Sequence, residues 1–391
     1  MTTLASSSQI ILRHTLETQF GVTPTTGTHK RIPLTGESLS YEIEKVESEE
    51  INPSRGVSDM TAVSSSAAGS INFEMKASAY DDFIEAALQG TWQPQAVSGE
   101  VTITPTTMEF VSAPDLVPGQ FFGLRSLPES SPNRHKIFRV ESVAGSTVTL
   151  SGATPGVSET ATAELASARL VNGSVRRSFS VEKEFSDVGI FRAFRGMNVS
   201  GFTLNASQGS LTTGEVSFMG RSGGKSTQSS SLPATETPLQ VRRSMSGMTG
   251  SVCGVWVDGE PLIGTFVQSV SLTVDNNMRQ QNAMCAASED GSVPGAVGIG
   301  NGKFNANASL EVFFTQADTL YSEFVENRNV EFAFTAFDTE GHGYVFTLKK
   351  ANVSNNQANA SGGDQDVIAS IELAGLIGDE GVVLEIDRIS F

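Results

Sequence analysis

Short stretches in which apolar and polar residues alternate recur along most of the chain. Leu39, Tyr41 and Ile43, for example, are each separated by a polar residue. Because successive side chains of a strand point to opposite faces, this period of two predicts half-buried β-strands. The same pattern predicts strands near residues 71–75, 179–181, 191–197, 216–218, 270–274, 306–314, 330–334, 344–348 and 371–373. The chain is therefore predicted to be mainly β.

Two segments have apolar residues at helical spacing instead. The first is predicted to begin at Ser78 as N-cap, to place Asp81 near the positive end of the helix dipole, and to stop at Gly90. The second is predicted to begin at Thr315 and has its apolar residues at the same offsets. Those residues are Phe83, Ile84, Ala87 and Leu88 in the first helix, and Leu320, Tyr321, Phe324 and Val325 in the second.

A long-range repeat connects these elements. The motif Asn198-Val199-Ser200, followed by Asn205-Ala206-Ser207, recurs as Asn352-Val353-Ser354 and Asn359-Ala360-Ser361. Aligning Ser78 with Thr315 also places Glu74 on Glu311. Each copy has a long polar stretch before its helix, residues 45–68 in the first and 275–301 in the second. One folding unit is therefore predicted to occur twice.

Two segments break the symmetry of the repeat. Residues 91–174 have no counterpart in the second copy and carry strand signals of their own, with a turn at Gly145-Ser146, which predicts a small β module. Residues 221–237 are rich in Ser and Gly and are predicted to be a flexible linker. The predicted division is a first domain of residues 1–90 and 175–220, the inserted module, the linker, and a second domain of residues 238–391.

Composition and charge exclude several classes of protein. The formal net charge of −17 argues against a static nucleic-acid binder, which normally has a basic face. No stretch has the roughly 18 apolar residues of a membrane helix, and the N-terminus has no basic segment of a signal peptide. Cys253 and Cys285 form no metal motif, so two reduced thiols are expected. Synthesis in a cytoplasm is expected.

No motif predicts catalysis, a cofactor or a metal. The sequence GxSxG at residues 220–224 matches a nucleophile elbow, but a Ser-rich segment follows it where that motif needs a helix. The glycine-rich residues 298–303 lack the Walker spacing, since Val297 and Phe304 occupy required positions. The four histidines are isolated from one another and from other ligands. The protein is therefore not expected to be an enzyme.

Four segments of the first copy resemble a known family. Residues 20–24 (Phe-Gly-Val-Thr-Pro), 34–39 (Leu-Thr-Gly-Glu-Ser-Leu), 48–55 and 69–75 resemble the major tail tube proteins of long-tailed, non-contractile bacteriophages. The resemblance implies two tandem tail-tube domains, each a β-sandwich or barrel with one flanking helix, polymerised as stacked rings around a lumen. It also implies that the loop after the first strand reaches the next ring. On this chain, the residues so implicated are Ser48, Glu49, Glu50, Ile51 and Arg55.

The repeat and the resemblance together predict how a ring is built. Two folds per chain make six from three chains, a pseudo-sixfold ring whose three chains carry 3 × −17 = −51 formal charges. Acidic walls would let double-stranded DNA slide without specific binding. The resemblance implies further partners in the tape measure protein and the tail tip and terminator proteins, and a location in the virion tail after assembly in the host cytoplasm. The alternative is a tail-associated or adhesin-like binding module of two β-sandwiches.

Overall fold

The structure is a computed structural model that describes residues 4–240, 242–246, 254–262, 266–284, 295–314, 319–359 and 366–391. Strands account for 55% of the residues and helices for 5%, so the prediction of a mainly β chain is confirmed. None of the helices in these ranges has the length and hydropathy of a membrane span.

The elements of the first part of the chain include one α-helix, α1 (Asp81–Leu88), and a short 3-10 helix, Ser7–Gln9. Its strands are β1 (Ile10–Leu16), β2 (Thr28–Ile32), β3 (Gly36–Glu37), β4 (Ser40–Glu47), β5 (Met60–Glu74), β6 (Gln93–Ile103), β7 (Thr107–Glu109), β8 (Phe121–Arg125), β9 (Ile137–Ala144), β10 (Thr147–Leu150), β11 (Glu159–Val171), β12 (Phe179–Phe185), β13 (Ile190–Ser207), β14 (Thr213–Gly220) and β15 (Ser222–Gly223).

The remaining part of the chain has a second helix, α2 (Thr319–Val325). Its strands are β16 (Thr235–Thr237), β17 (Val255–Val257), β18 (Glu260–Pro261), β19 (Phe266–Asp275), β20 (Arg279–Gln281), β21 (Gly298–Gly300), β22 (Asn305–Phe313), β23 (Asn329–Phe337), β24 (His342–Asn359), β25 (Ile368–Gly375) and β26 (Leu384–Ser390).

Eight strands form one continuous antiparallel sheet in the order β4, β5, β14, β13, β19, β22, β25, β24. The last four strands repeat the connectivity of the first four. The two sets meet where β13 pairs with β19, from Gly201 opposite Asp275 to Ser207 opposite Ser269. We call this pairing the internal seam.

The repeated Asn-Val-Ser motif marks a β-bulge in each long strand. The register of β13 shifts between Val199 and Gly201, and that of β24 shifts between Val353 and Asn355. Before the bulge, each strand pairs with a different neighbour, β12 or β23. A bulge adds one unpaired residue and bends the strand. The motif therefore lies where each long strand passes from a second sheet into the eight-stranded sheet.

The start of the first helix differs from the prediction. Helix α1 begins at Asp81 with Tyr80 at the N-cap, so the prediction of Ser78 as N-cap was wrong. Ser78 has a φ of 62° and its N–H donates to the Tyr344 hydroxyl at 2.8 Å, which places this residue outside the helix. Asp81 does lie in the first turn, as predicted. Thr315, the predicted cap of the second helix, lies outside the described residues.

The end of the first helix depends on close packing at Gly90. Gln89, not Gly90, takes the left-handed conformation that ends the helix, with a φ of 50°. The Gly90 N–H donates to the Glu85 carbonyl at 3.3 Å. A Cβ on Gly90 would lie 2.1 Å from the Val171 carbonyl oxygen, so only glycine fits between the helix and β11.

The helices cover one face of the eight-stranded sheet. Phe83 of α1 is buried and packs edge-on against Phe179 and Phe218, with ring centroids 5.3 and 5.4 Å away. In α2, Leu320 is buried while Val325 is mostly exposed. One continuous apolar core runs beneath both halves of the sheet. The first helix therefore contributes more to this core than the second.

Two stretches that composition predicts to be irregular are ordered. Of the polar residues 45–68, only 48–59 form a loop, because β4 continues to Glu47 and β5 begins at Met60. The Ser- and Ala-rich start of β5 is a strand without a strong apolar alternation. In the Ser-rich residues 221–237, β15 pairs with β13 and β16 with β2, and Glu182 accepts hydrogen bonds from Ser230 and Ser231. This segment is held against the first half, so the prediction of a flexible linker was wrong; its role as a boundary stays a prediction.

The inserted segment forms a β module with its own apolar core. Gly145 and Ser146 make the two-residue turn between β9 and β10, as predicted, and Gly145 has a φ of 62°. The long strand β11, which the pattern did not reveal, pairs with β6 inside the module and with β26 outside it. Arg169 of β11 and Lys349 of β24 both form ion pairs with the buried Glu385, at 2.6 and 3.0 Å. A buried charge cluster therefore joins the module to the second half.

Replacement of Asp387, a second buried carboxyl in this cluster, is expected to change how stability depends on pH. Burial and the neighbouring Glu385 charge raise the pKa of Asp387 well above its usual value, against the opposing effects of Lys349, the Phe121 N–H and Arg169. The protonated Asp387 therefore makes its full contribution to the free energy of unfolding below the pKa of an Asp in the unfolded chain, about 3.9. That contribution is lost as pH rises through the pKa of Asp387 in the folded protein.

The variant Asp387→Asn cannot ionise, so its melting temperature should fall less between pH 5 and pH 8 than that of the wild type. Each unit of pKa corresponds to about 1.4 kcal/mol of unfolding free energy. Thermal melts at the two pH values measure the effect, and Asp379→Asn, at an exposed position, is the control. A variant that loses more stability than the wild type on going to pH 8 would contradict this account.

Candidate functional site

The eight-stranded sheet has one apolar face and one polar face. Buried residues such as Ile71, Phe202 and Leu310 point toward the helices. Residues directly opposite each other in an antiparallel pair share a face, so the strand registers define the other face completely. We call that surface the polar face. It consists mainly of Ser, Thr, Asn and Gln, for example Ser70, Ser217, Thr203, Thr273, Asn307, Ser309, Asn355 and Gln357.

All charged side chains that the registers place on the polar face are acidic. Among the residue pairs that join these eight strands, leaving aside those of β4 beyond the register shift after Glu44, none places a Lys, Arg or His on this face. The seven carboxylates are Glu42, Glu44, Glu74, Glu215, Asp275, Glu311 and Glu372. A surface with one sign of charge creates a field that repels polyanions. The acidity that the sequence shows only as a total is thus concentrated on one side of the sheet.

Short polar side chains on this face bond to one another. The hydroxyls of Ser271 and Ser309 are 2.8 Å apart across the β19–β22 pair. Ser269 donates to the Glu311 carboxylate at 3.0 Å, and Ser64 donates to Glu44 at 2.6 Å. These bonds hold the carboxylates close to the sheet. The surface is therefore lined by short polar side chains and carboxylates and is readily hydrated.

Both lateral edges of the sheet are open. In the described residues, β4 pairs only with β5, and residues 353–359 of β24 pair only with β25. Beside the first edge lies an open groove of about 920 Å³, lined in part by residues 34–37 and by Ser7 and Ser8. An edge of unpaired N–H and C=O groups is a template for pairing with another strand.

The hairpin of β4 and β5 extends beyond the sheet. Strand β14 ends at Gly220, opposite Ala67, so residues 60–66 of β5 pair only with β4. Six apolar side chains of this projecting part are exposed: Ile43, Val46, Ile51, Val57, Met60 and Val63. An isolated hairpin with exposed apolar residues is a surface that a partner would cover.

The five site residues implied by the resemblance all lie at the tip of this hairpin. Ser48 begins the tip, where its N–H donates to the Asp59 carbonyl at 2.9 Å. Asn52 organises the turn, because its side chain bonds the Gly56 carbonyl at 2.6 Å and the Ser54 N–H at 3.0 Å. Ile51 is 99% exposed. The structure therefore brings Ser48, Glu49, Glu50, Ile51 and Arg55 together in one exposed loop.

The corresponding loop of the second half takes a different course. After β19 the chain turns at Asn276, whose side-chain amide donates to the carbonyls of Ala87 and Val199 at 2.9 and 3.1 Å. Gln280 then donates to the Gly220 carbonyl at 3.1 Å. The described ends of this loop, including β20 and β21, therefore fold back over the first half, and residues 285–294 lie outside the described ranges. The chain has one projecting hairpin among its described residues.

The remaining sequence motifs take structural positions. Ser222 of the GxSxG match lies in β15, and the next described element after it is the strand β16, not a helix. His14 is buried in β1, with its Nε2 3.0 Å from Asp82. In the described ranges, no three His, Cys, Asp or Glu side chains are grouped to hold a metal. Cys253 and Cys285 lie outside these ranges.

An acidic sheet face, two open edges and a projecting hairpin characterise this mainly β protein. The chain belongs to the phage tail tube protein family, whose sequence model matches residues 7–375, nearly the whole chain. The resemblance inferred from the sequence is confirmed. A comparison with curated proteins finds no match. Membership of this family gives the protein a structural role in the tube of a phage tail.

Proposed function

We propose that three copies of this chain close into a ring, and that the rings stack into a tube whose acidic lumen lets the genome pass. The observation that carries this proposal is the internal seam. One chain already joins two four-stranded units edge to edge there, through seven consecutive residue pairs. The same junction between chains would remove both open edges of the sheet.

The repeat identifies which residues would meet between chains. The bulges at Val199 and Val353 align β13 with β24. Residues 201–207 of the seam therefore correspond to residues 355–361, of which the structure describes those up to Asn359. In the other strand of the seam, β19, residues 269–275 correspond to residues 34–40, which lie at the open edge of the sheet formed by β3 and β4. Residues 355–359 of one chain would therefore pair with residues 36–40 of the next.

Three chains with eight strands each would give a closed barrel of 24 strands. At about 4.8 Å between strands, its backbone diameter would be at least about 37 Å before any tilt is considered. Seven polar-face carboxylates per chain would become 21 per ring if this face lines the lumen. Phosphates would then be repelled from every side, so DNA would move without sites at which it binds.

The rest of the chain fits this arrangement as follows. The two domains and the boundary at residues 221–237 stay a proposal that the repeated strand order supports. The inserted module joins β26, which belongs to the sheet behind the polar face, so the module would lie on the outside of the tube.

A conduit of this kind acts without catalysis. The tape measure protein would occupy the lumen, terminator and tip proteins would meet the tube ends, and assembly would take place in the host cytoplasm.

Cysteine cross-linking tests the proposed contact between chains. In a background without Cys253 and Cys285, we expect Gln357→Cys to form a disulfide with Ser38→Cys or Ser40→Cys, the polar-face positions of the opposite edge. The product should run as covalent dimers and trimers, because the two edges of one chain are seven strand spacings apart, about 34 Å.

The pair Thr203→Cys and Thr273→Cys is the matched control, because these residues are opposite each other in the internal seam. It should cross-link within one chain. If the control forms and both pairs between chains fail under conditions that give tubes, the proposed ring contact is wrong.

A further inference from the structure

The end of the sheet opposite the hairpin has a second exposed apolar surface. Phe266 lies opposite Phe313, and Phe313 lies opposite Ile368, on three adjacent strands. The Phe314 N–H donates to the Val367 carbonyl at 3.0 Å, which places these two residues just beyond that row. Phe266 is 66% exposed and Phe314 is 52% exposed. We call these five residues the aromatic rim.

The rim and the hairpin lie at opposite ends along the strand direction. The hairpin projects past the end of the sheet marked by Gly220 and Asp275. The rim lies two residues beyond the Glu311–Ser370 pair, at the other end of the same strands. A second chain placed further along the strand axis therefore presents its rim to the hairpin of the first. When two different patches meet head to tail, the same contact can add one ring after another, and the stack of rings need not close on itself.

Each chain has as many rims as projecting hairpins. The alignment of Ser78 with Thr315 places Phe313 on Lys76 and Phe314 on Ala77, so the first half has no aromatic rim at the corresponding positions. The first half has the projecting hairpin, whereas the described part of the corresponding second-half loop folds back. Each chain thus has one hairpin and one rim, and a ring of three chains would have three of each.

We infer that the aromatic rim is the surface on which the β4–β5 hairpin of a chain in the adjacent ring docks. This inference rests on the proposed stacking of rings and adds the receiving surface. Exposed apolar residues of the hairpin, Ile51 above all, would cover Phe266 and Phe314. Burial of aromatic side chains is a dominant source of binding energy at such contacts. The tube would then have a direction, because its hairpin end and its rim end would be chemically distinct.

The test uses a rim variant, Phe266→Ser with Phe314→Ser, and a hairpin variant, Ile51→Ser with Val57→Ser. All four positions are exposed, so circular dichroism spectra should match the wild type. Loss of an aromatic anchor should raise the critical concentration for tube growth by roughly 30-fold or more. Val111→Ser, at a 59% exposed position on the inserted module, is the control and should form tubes normally.

Mixing the two variants gives the decisive result. The rim variant keeps an intact hairpin and the hairpin variant keeps an intact rim, so the mixture should give two-ring stacks that neither variant forms alone. Electron microscopy and native mass measurement count the rings. Normal tubes from the rim variant, or single rings that never pair in the mixture, would overturn the inference. A wild type that forms no rings would instead refute the proposed function.

Discussion

Deletion of residues 49–55 is expected to abolish ring stacking while leaving the chain folded. The deletion would remove most of the hairpin tip and leave Gly56, Val57 and Ser58 between Ser48 and Asp59. The backbones of Ser48 and Asp59 are already hydrogen-bonded, and three residues are a normal length for a hairpin loop. The stem therefore remains closed, and the unfolding free energy should change by no more than about 1 kcal/mol.

Electron microscopy of the purified variant should show single rings and no tubes at concentrations at which the wild type forms tubes. Replacing residues 49–55 by a Gly-Ser sequence of the same length separates the loss of side chains from the loss of length. We expect that variant to fail as well, because Ile51 and the charged tip residues are gone. Tubes of normal length from either variant would contradict a stacking role for the tip.

Reversal of charge on the polar face is expected to slow DNA ejection. Glu215→Lys with Glu372→Lys raises the formal charge by four units per chain, or 12 per ring, which takes the formal polar-face charge from −21 to −9. Lys side chains at these positions would attract phosphates at every ring of the tube. In phages carrying this variant, ejection should slow on the order of tenfold at low salt. The effect should shrink toward 1 M salt, where the Debye length is about 3 Å.

The matched control reverses two carboxylates away from the polar face. Glu100→Lys with Glu129→Lys makes the same change in net charge on exposed positions of the inserted module. This variant should eject DNA at the wild-type rate. If both double variants slow ejection equally, or if neither does, the acidity serves solubility and not passage of the genome.

Much of the fold could be predicted because the core strands alternate clearly. The segments around Val270, Phe332 and Ile371 all became strands where the pattern placed them. The repeat was visible because the bulges in β13 and β24 keep the same Asn-Val-Ser sequence. The early part of β5 was missed, because a strand whose side chains are Ser and Ala on both faces has no alternation to detect.

The candidate site could be predicted only in part. Its tip residues came from the resemblance, and the structure gathers them in one loop. The polar face could not be predicted from the sequence. Glu74 and Glu311 share a surface with Glu215 only because strands that are distant in sequence pair with one another. The N-cap at Ser78 failed for a related reason. Its N–H bonds to Tyr344, a contact across 266 residues that no local pattern reveals.

A cryo-EM projection along the tube axis tests the central claim most directly, because it counts the chains in a ring. The repeat of four strands within one sheet, joined at the internal seam, predicts three chains and 24 strands around the lumen. Three inserted modules should then appear on the outside, one for each chain. A ring of six complete chains, with six modules, would contradict the account.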